Sequence, residues 1–386
     1  MVLQPRLATM RLRELLKQFP IVCILGPRQC GKTTFVKTVL SGWHYFDLEK
    51  PSDLVRIEED PEAVLHQWGQ HLIFDEAQRL PSLFPILRSF VDELPQKKGR
   101  IVLLGSVSPH LIRNISESLS GRVGFLDMTP FLLPEIQDLQ TLWLRGGFPD
   151  AYFQKNQQRR RDWFESYTRT YIERDLAAVG IDVSATQMRK LWSMLAHVHG
   201  GIWNASELAS SMGTSYHTIN RYADILEQSF LVRKLPPYYV NLGKRLVKSP
   251  KIYLRDSGLL HYFLGIQNKR DLDVHPKKGA SWEGFVMEQI LGIISAKTPR
   301  WEPFFWRTAT HQETDLLLKK GTELIPIEIK THTSPKKSDV PGLLSCMTDL
   351  GCKKGYVVRP QGKSYSLSHG IQVVTLEELL KIIQQY

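Results

Sequence analysis

Gly26-Pro27-Arg28-Gln29-Cys30-Gly31-Lys32-Thr33 follows the apolar run Ile21-Val22-Cys23-Ile24-Leu25. Two glycines flanking four residues, then Lys-Thr, is the spacing of a phosphate-binding loop between a strand and a helix. Glycine lets successive backbone N–H groups turn inward onto phosphate oxygens, and the N-terminus of a helix beginning near Thr33 adds a favourable dipole. Lys32 would reach the β- and γ-phosphates, and the Thr33 hydroxyl would ligate Mg²⁺. Gly26, Pro27, Arg28, Gln29, Cys30, Gly31, Lys32, Thr33 and Thr34 are therefore the expected cradle for ATP. A chance glycine-rich turn is the weaker reading, because the full pattern stands directly after a strand.

His71-Leu72-Ile73-Phe74-Asp75-Glu76 is a second buried run, and it ends in two acids. Downstream of a phosphate-binding loop the first acid, Asp75, holds the metal, and the second, Glu76, is placed to polarise the attacking water. The same dipeptide could cap a helix and fill its first turn. A nucleotide kinase would share the loop, but the acid pair favours hydrolysis. A third apolar run, residues 100–105, leads to Ser106, a candidate sensor of the γ-phosphate. A helical segment over 109–119 then leads to Ser120-Gly121-Arg122. An arginine there stands where ring ATPases present a finger to the neighbouring subunit. A surface arginine after a helix C-cap glycine fits the spacing equally well.

A second group of chemical residues lies near the C-terminus. Thr314-Asp315-Leu316-Leu317-Leu318 and Leu324-Ile325-Pro326-Ile327-Glu328-Ile329-Lys330 form two strands around Lys319-Lys320-Gly321-Thr322. Pairing residue 318 with 323 and 315 with 326 puts Asp315, Glu328 and Lys330 on one sheet face. Two acids and a lysine so spaced are the pattern of restriction-endonuclease-like folds. There the acids hold Mg²⁺ that activates water, and the lysine orients the nucleophile. Glu283, near the start of an apolar-faced helix over 282–294, would be the additional acid. His311 and Gln312 stand nearby without a role. An edge strand with one solvated face alternates in the same way. If the site cuts, the lysine-rich residues 330–337 would line the phosphate path.

Between these groups, residues 203–235 have the pattern of a helix-turn-helix. Asn204 or Ser206 caps a helix over 206–212, Gly213-Thr214-Ser215 turns, and a second helix spans 216–228. Helical spacing puts Ile219, Tyr222, Ala223, Leu226 and Phe230 on its core side. Tyr216, His217, Asn220 and Arg221 are left outward, where a recognition helix meets base edges or phosphates. Phe230-Leu231-Val232 and Lys251-Ile252-Tyr253-Leu254 are candidate wing strands, joined by a basic loop carrying Lys244 and Arg245. Such winged helices serve as DNA readers and equally as protein–protein scaffolds. Helical residues 154–200 would form a lid, with Arg159-Arg160-Arg161 on a solvated face.

The 386 residues are enough for about two to four domains. Basic residues outnumber acidic ones 16 to 15 over 1–135, 19 to 13 over 136–275 and 15 to 11 over 276–386. The excess outside the nucleotide-binding part suits contact with a polyanion; ordinary solubility charge is the alternative. No run approaches about 18 uninterrupted apolar residues, and the first ten residues lack a signal-peptide core. The cysteines at 23, 30, 346 and 352 show neither metal-ligand spacing nor a disulfide framework. A cytoplasmic protein without a membrane partner is expected.

Together with the loop, the chain carries Tyr45-Phe46-Asp47-Leu48-Glu49, Asp75-Glu76-Ala77-Gln78, Ser118-Leu119-Ser120-Gly121-Arg122 and Gly146-Gly147-Phe148-Pro149. Further on come Tyr171-Ile172-Glu173-Arg174-Asp175-Leu176, Lys251-Ile252-Tyr253-Leu254-Arg255-Asp256-Ser257-Gly258-Leu259-Leu260, Trp282-Glu283-Gly284-Phe285-Val286 and Ile327-Glu328-Ile329-Lys330. In this order they resemble a group of prokaryotic AAA-family ATPases whose C-terminal domain is catalogued as domain of unknown function 4143. The resemblance covers nearly the whole chain. It implies an α/β fold: a P-loop AAA+ core over 1–135, a helical lid over 136–200, a winged helix-turn-helix over 201–272 and a restriction-endonuclease-like α/β domain over 273–386. Cys30 departs from the small aliphatic residue expected there and would put a free thiol beside the phosphates. The implied function is a Mg²⁺-dependent ATPase acting with or on DNA, in repair, recombination or defence. It would work as a homo-oligomer, a hexamer being one form. The alternative is a nucleotide-operated switch that binds a protein partner, with the nuclease-like domain inactive.

Overall fold

The computed structural model describes residues 4–105, 115, 117–175, 184–238, 249–297, 301–368 and 370–385. Three runs of the first part, β1 (Ile21–Leu25), β3 (Leu72–Asp75) and β4 (Ile101–Gly105), are buried at every residue. Unbroken apolar strands of this kind suit a parallel sheet covered on both faces. With β2 (His44–Asp47) and β5 (Val123–Asp127) they form a sheet in the order β2-β3-β4-β1-β5, and every pair is parallel. Side-chain alternation divides β1 between two cores. Val22 and Ile24 pack with α1 (Ala8–Gln18) and α2 (Lys32–Val39), whereas Ile21, Cys23 and Leu25 face α5 (Leu83–Asp92). Pairing Leu25 with both Gly105 and Asp127, and Asp47 with Asp75, brings the C-terminal strand ends to one edge. The loops that leave that edge carry the chemistry.

On the same face as α5 the chain also packs α3 (Pro51–Glu59) and α4 (Pro61–Trp68). After β5 it turns helical: α6 (Leu133–Ile136), α7 (Leu139–Arg145), α8 (Pro149–Phe153) and α9 (Gln157–Thr170). The last of these runs into a π-helical turn, Tyr171–Asp175, and is followed by α10 (Ala185–His197). The two-helix unit follows as α11 (Ala205–Met212) and α12 (Tyr216–Gln228), turned at Gly213 with φ 64°. Asn204 supplies the cap of α11 and Ser215 that of α12. One buried cluster runs from Phe148 through Met188, Leu208 and Ile219 to Leu260, so α8, α9 and α10 share a core with the helix pair. Of the three consecutive arginines, Arg159 and Arg161 are exposed, but Arg160 is not on a solvated face. It is buried, with its guanidinium donating to the carbonyls of Gln154 and Gln267.

β6 (Val232–Leu235) and β7 (Lys251–Leu254) pair antiparallel. Past β6 the chain runs along β8 (Glu302–Arg307), with Tyr238 N donating to Phe305 O at 2.7 Å and Phe305 N to Pro236 O at 3.0 Å. The hairpin thereby extends the edge of a second sheet. That sheet adds β9 (Glu313–Lys320), β10 (Glu323–Ile329), β11 (Gly355–Arg359), β12 (Tyr365–Ser368) and β13 (Ile371–Thr375), in the order β12-β13-β11-β10-β9-β8. After β7, α13 (Ser257–Leu264) packs into the helical core, and α14 (Lys269–Val274) packs on α15 (Lys278–Lys297); α15, α16 (Pro341–Leu350) and α17 (Leu376–Ile383) pack on the sheet. α15 is buried along most of its length, as a helix apolar on nearly all sides must be.

The β9–β10 register differs from the sequence expectation. Leu318 pairs with Ile325, and Lys320 with Glu323. Gly321, at φ 61°, closes a two-residue turn that a side chain would strain. A shift of two residues keeps each side chain on its face, and it brings position 315 opposite 328. Among the described residues, no helix is long and apolar enough to cross a membrane.

Candidate functional site

The loop after β1 owes its shape to two glycines and a close neighbour. A Cβ on Gly26 would stand 2.2 Å from the Met128 carbonyl oxygen, so no other residue fits there. Gly31 takes φ 98° and caps α2. Lys32 is buried, and its Nζ donates to the carbonyls of Gly26 at 2.9 Å and Pro27 at 3.0 Å. Thr33 Oγ1 donates to Asp75 Oδ2 at 2.6 Å, and Tyr45 OH donates to the same oxygen at 2.6 Å. Burial and then the Asp75 carboxylate push the Tyr45 phenol well up, which keeps it a donor. A hydroxyl at a helix start and a carboxylate at the end of a strand two places away thus meet over the loop. These residues fit Mg²⁺, which takes few protein ligands and completes its shell with phosphate oxygens and water.

Glu76 follows with φ 53°, a left-handed conformation uncommon for a glutamate. Its backbone N–H donates to Asp75 Oδ1 at 2.9 Å, and its carboxylate accepts from the Gln78 amide. This turn swings the second acid toward the mouth of the loop. There a cavity of about 880 Å³ is lined by Arg28, Gln29, Gly31, Lys32, Thr33, Thr34 and Glu76. The far wall comes from the N-terminal segment (Gln4, Arg6, Arg13) and the helical part (Asp150, Phe153, Tyr171). Gly26, Pro27 and Cys30 do not line it. The Cys30 thiol is fully buried under the loop, 3.8 Å from the Met128 carbonyl, and is not beside the phosphate path as expected.

Two supports were not foreseen. Arg6 Nη1 donates to Cys30 O at 3.0 Å and its Nε to Glu135 Oε1 at 3.1 Å, stapling the loop to α6. Asp256 ties the motif Gly146-Gly147-Phe148-Pro149 to the start of α13. Its Oδ2 accepts from Gly147 N and its Oδ1 from Leu259 N, both at 2.8 Å, and burial pushes its carboxyl up to about 6. The cavity wall at Asp150 and Phe153 hangs from that anchor.

Arg122 precedes β5 and so sits at the opposite edge of the sheet, a strand's length from its own loop; Ile21 N bonds its carbonyl at 3.2 Å. Its Nε and Nη2 donate to the two carboxylate oxygens of Asp92, at 2.6 and 2.8 Å. Ser106, Lys244 and Arg245 lie outside the described residues. On α12, Tyr216, His217 and Arg221 are exposed as expected. Asn220 is half-buried instead, because its Oδ1 accepts from Trp203 Nε1 at 2.8 Å.

The C-terminal acids do gather. Asp315 Oδ2 accepts from Ile329 N at 2.8 Å, and Glu328 Oε1 from Lys330 Nζ at 2.7 Å. Burial, and then Glu328 and Glu283, push the Asp315 carboxyl well above the usual range, with Lys251 acting the other way. Glu283 Oε1 accepts from Tyr253 OH at 2.5 Å and from Lys251 Nζ at 3.0 Å. Among the described residues, no cluster of three or more His, Cys, Asp or Glu side chains is set to hold a metal ion.

Models of known families match in three consecutive stretches. An AAA domain covers residues 18–137, a domain of unknown function (DUF8612) 136–270, and a domain of unknown function (DUF4143) 278–379. An uncharacterized protein of Mycobacterium tuberculosis is 38% identical over 384 residues, which span 98% of this chain and 85% of that protein. A Mycobacterium bovis protein matches to the same extent. The chain belongs to this family of AAA-domain P-loop ATPases. Among solved structures, a Walker-type ATPase of Pyrococcus abyssi is similar with a TM-score of 0.42 and 15% identity, over 67% of this chain and 94% of that one. A RuvB variant of Thermotoga maritima is similar with a TM-score of 0.31 and 18% identity, over 59% of this chain and 89% of that one.

Proposed function

We propose that the protein is a Mg²⁺-dependent ATP hydrolase whose helical part relays the nucleotide state to DNA. The observation that carries the hydrolase reading is the convergence of Thr33 and Asp75, 2.6 Å apart, at the mouth of the glycine loop. Backbone N–H groups of residues 28–34 bind the phosphates, and Lys32 leaves its two carbonyl partners for the β- and γ-oxygens. Thr33 and Asp75 would hold Mg²⁺, which would supply positive charge against the charge developing on the phosphates. Glu76 orients the water, and Gln78 holds its carboxylate in place. Arg122 is too far from its own loop to serve it. It completes a neighbour's site instead, exchanging Asp92 for the γ-phosphate, and this requires a homo-oligomer.

The DNA part of the reading is supported by α12. Its N-terminal half presents Tyr216 (49% exposed), His217 and Arg221 after a helix-turn-helix, in the more basic half of the chain. The experiment is ATP turnover with and without duplex, single-stranded and branched DNA. Stimulation that is lost in a Tyr216→Ala, Arg221→Ala double variant is expected. Turnover indifferent to every DNA would overturn the DNA reading in favour of a switch that engages a protein partner.

A further inference from the structure

Lys251 is a β7 residue of the helix-and-hairpin part, yet its side chain is only 3% exposed and ends inside the C-terminal acid cluster. Its Nζ stands 3.0 Å from Glu283 Oε1, 2.5 Å from Glu313 Oε1 and 3.9 Å from Asp315 Oδ1. Tyr253, two residues along the same strand and so on the same face, donates to Glu283 as well. Each acid on which a metal at this place would depend thus already engages at least one partner, while Glu328 Oε2 is buried with no hydrogen-bond partner among the described residues. Glu283 holds Lys251 and Tyr253, Asp315 holds Ile329 N and Lys251, and Glu328 holds Lys330. Glu313 is shared between Lys251 and Arg307, the latter at 3.1 Å. Four carboxylates meet three side-chain cations, and buried charge of this density needs such compensation. The Mg²⁺ that a restriction-endonuclease-like domain implies does not fit beside the ammonium.

We propose that Lys251 is the resident cation of this cluster. It stands where a divalent ion would stand and locks the hairpin onto the C-terminal sheet, so the cluster is a joint and not a cleaving centre. This inference does not depend on the ATPase reading. Lys251, on β7, stands 3.9 Å from Asp315, on β9, where Pro236 and Tyr238 dock beside β8.

The test is Mn²⁺ binding to the full-length, nucleotide-free chain followed by electron paramagnetic resonance, with Asp75→Asn in all samples to silence the P-loop acid. With Lys251 present, no Mn²⁺ site dependent on Asp315 is expected. Lys251→Gln should then gain one Mn²⁺ per chain, lost again on adding Asp315→Asn. Mn²⁺ bound to the Lys251-containing chain and released by Asp315→Asn would overturn the proposal. So would a Lys251→Gln variant that melts cooperatively but gains no Mn²⁺. The first measurement decides even where that variant does not fold, because it uses the native lysine.

Discussion

At Asp75 one carboxylate oxygen accepts two hydroxyls, from Thr33 and from Tyr45, each at 2.6 Å. The tyrosine therefore helps to aim the carboxylate proposed to hold the metal. Losing one such hydrogen bond costs about 0.5–1.5 kcal/mol net, a factor of about two to ten. Tyr45→Phe should raise the Mg²⁺ concentration needed for half-maximal turnover by that factor with little change in maximal rate. An unchanged Mg²⁺ titration would remove Tyr45 from the site. The glycine loop, Lys32, Thr33 and the acid pair were legible in the sequence because their spacing is local and each residue type is demanded by phosphate or metal. Tyr45 was visible only as part of a motif. Its contact arises from the parallel pairing of β2 with β3, which no spacing along the chain reveals. Lys251 was less legible still: it looked like the first residue of a wing strand, and its partners lie 32 to 64 positions further on.

Among the elements, the turn from α7 into α8 is under close steric control. A Cβ on Gly147 would meet the Phe131 backbone, 2.6 Å from its oxygen and 2.8 Å from its nitrogen. Backbone cannot give way as a side chain can, so Gly147→Ala should cost at least the about 1–3 kcal/mol typical of overpacking. Thermal melting should record this as a lower Tm, and an unaltered Tm would contradict the packing. α15 offers a pH test. Burial alone would raise the Glu288 carboxyl, but Arg233 and Arg255 against it bring it down to about 2. A carboxyl depressed in the folded state gives stability that is complete above its unfolded value, near 4.5, and is lost as pH falls toward about 2. Glu288→Gln should flatten that acid limb of the Tm–pH curve. It should also lower stability at neutral pH by about 3–5 kcal/mol, since two buried guanidiniums lose their counter-charge. The helix pair was readable from periodicity and caps, α12 to the residue, whereas the first hairpin strand, expected at 230–232, lies at Val232–Leu235. The core that α8, α9 and α10 share with the helix pair was not readable, because burial of the same apolar stripe satisfies either arrangement.

Across the whole molecule, α15 touches α1 and β5 of the first sheet, α13 of the helical part and β10 of the second sheet. The proposed completion of the nucleotide site by a second subunit makes Arg122→Ala informative. That variant should bind nucleotide as the parent does and lose turnover, and the parent's specific activity should rise with protein concentration. Normal turnover in Arg122→Ala would exclude the trans role. A parallel-sheet ATPase part followed by a separate C-terminal sheet was legible from motif order, whereas the docking of Lys251 into the acids of the C-terminal sheet depends on three-dimensional closure and left no mark in composition. The measurement that bears most directly on the central claim is ATP hydrolysis by the purified chain in Mg²⁺, beside Lys32→Ala and Glu76→Gln. Turnover in the parent, loss of binding in Lys32→Ala, and ATP bound but uncleaved in Glu76→Gln are the results expected. Hydrolysis that persists in either variant would contradict the assignment of this site.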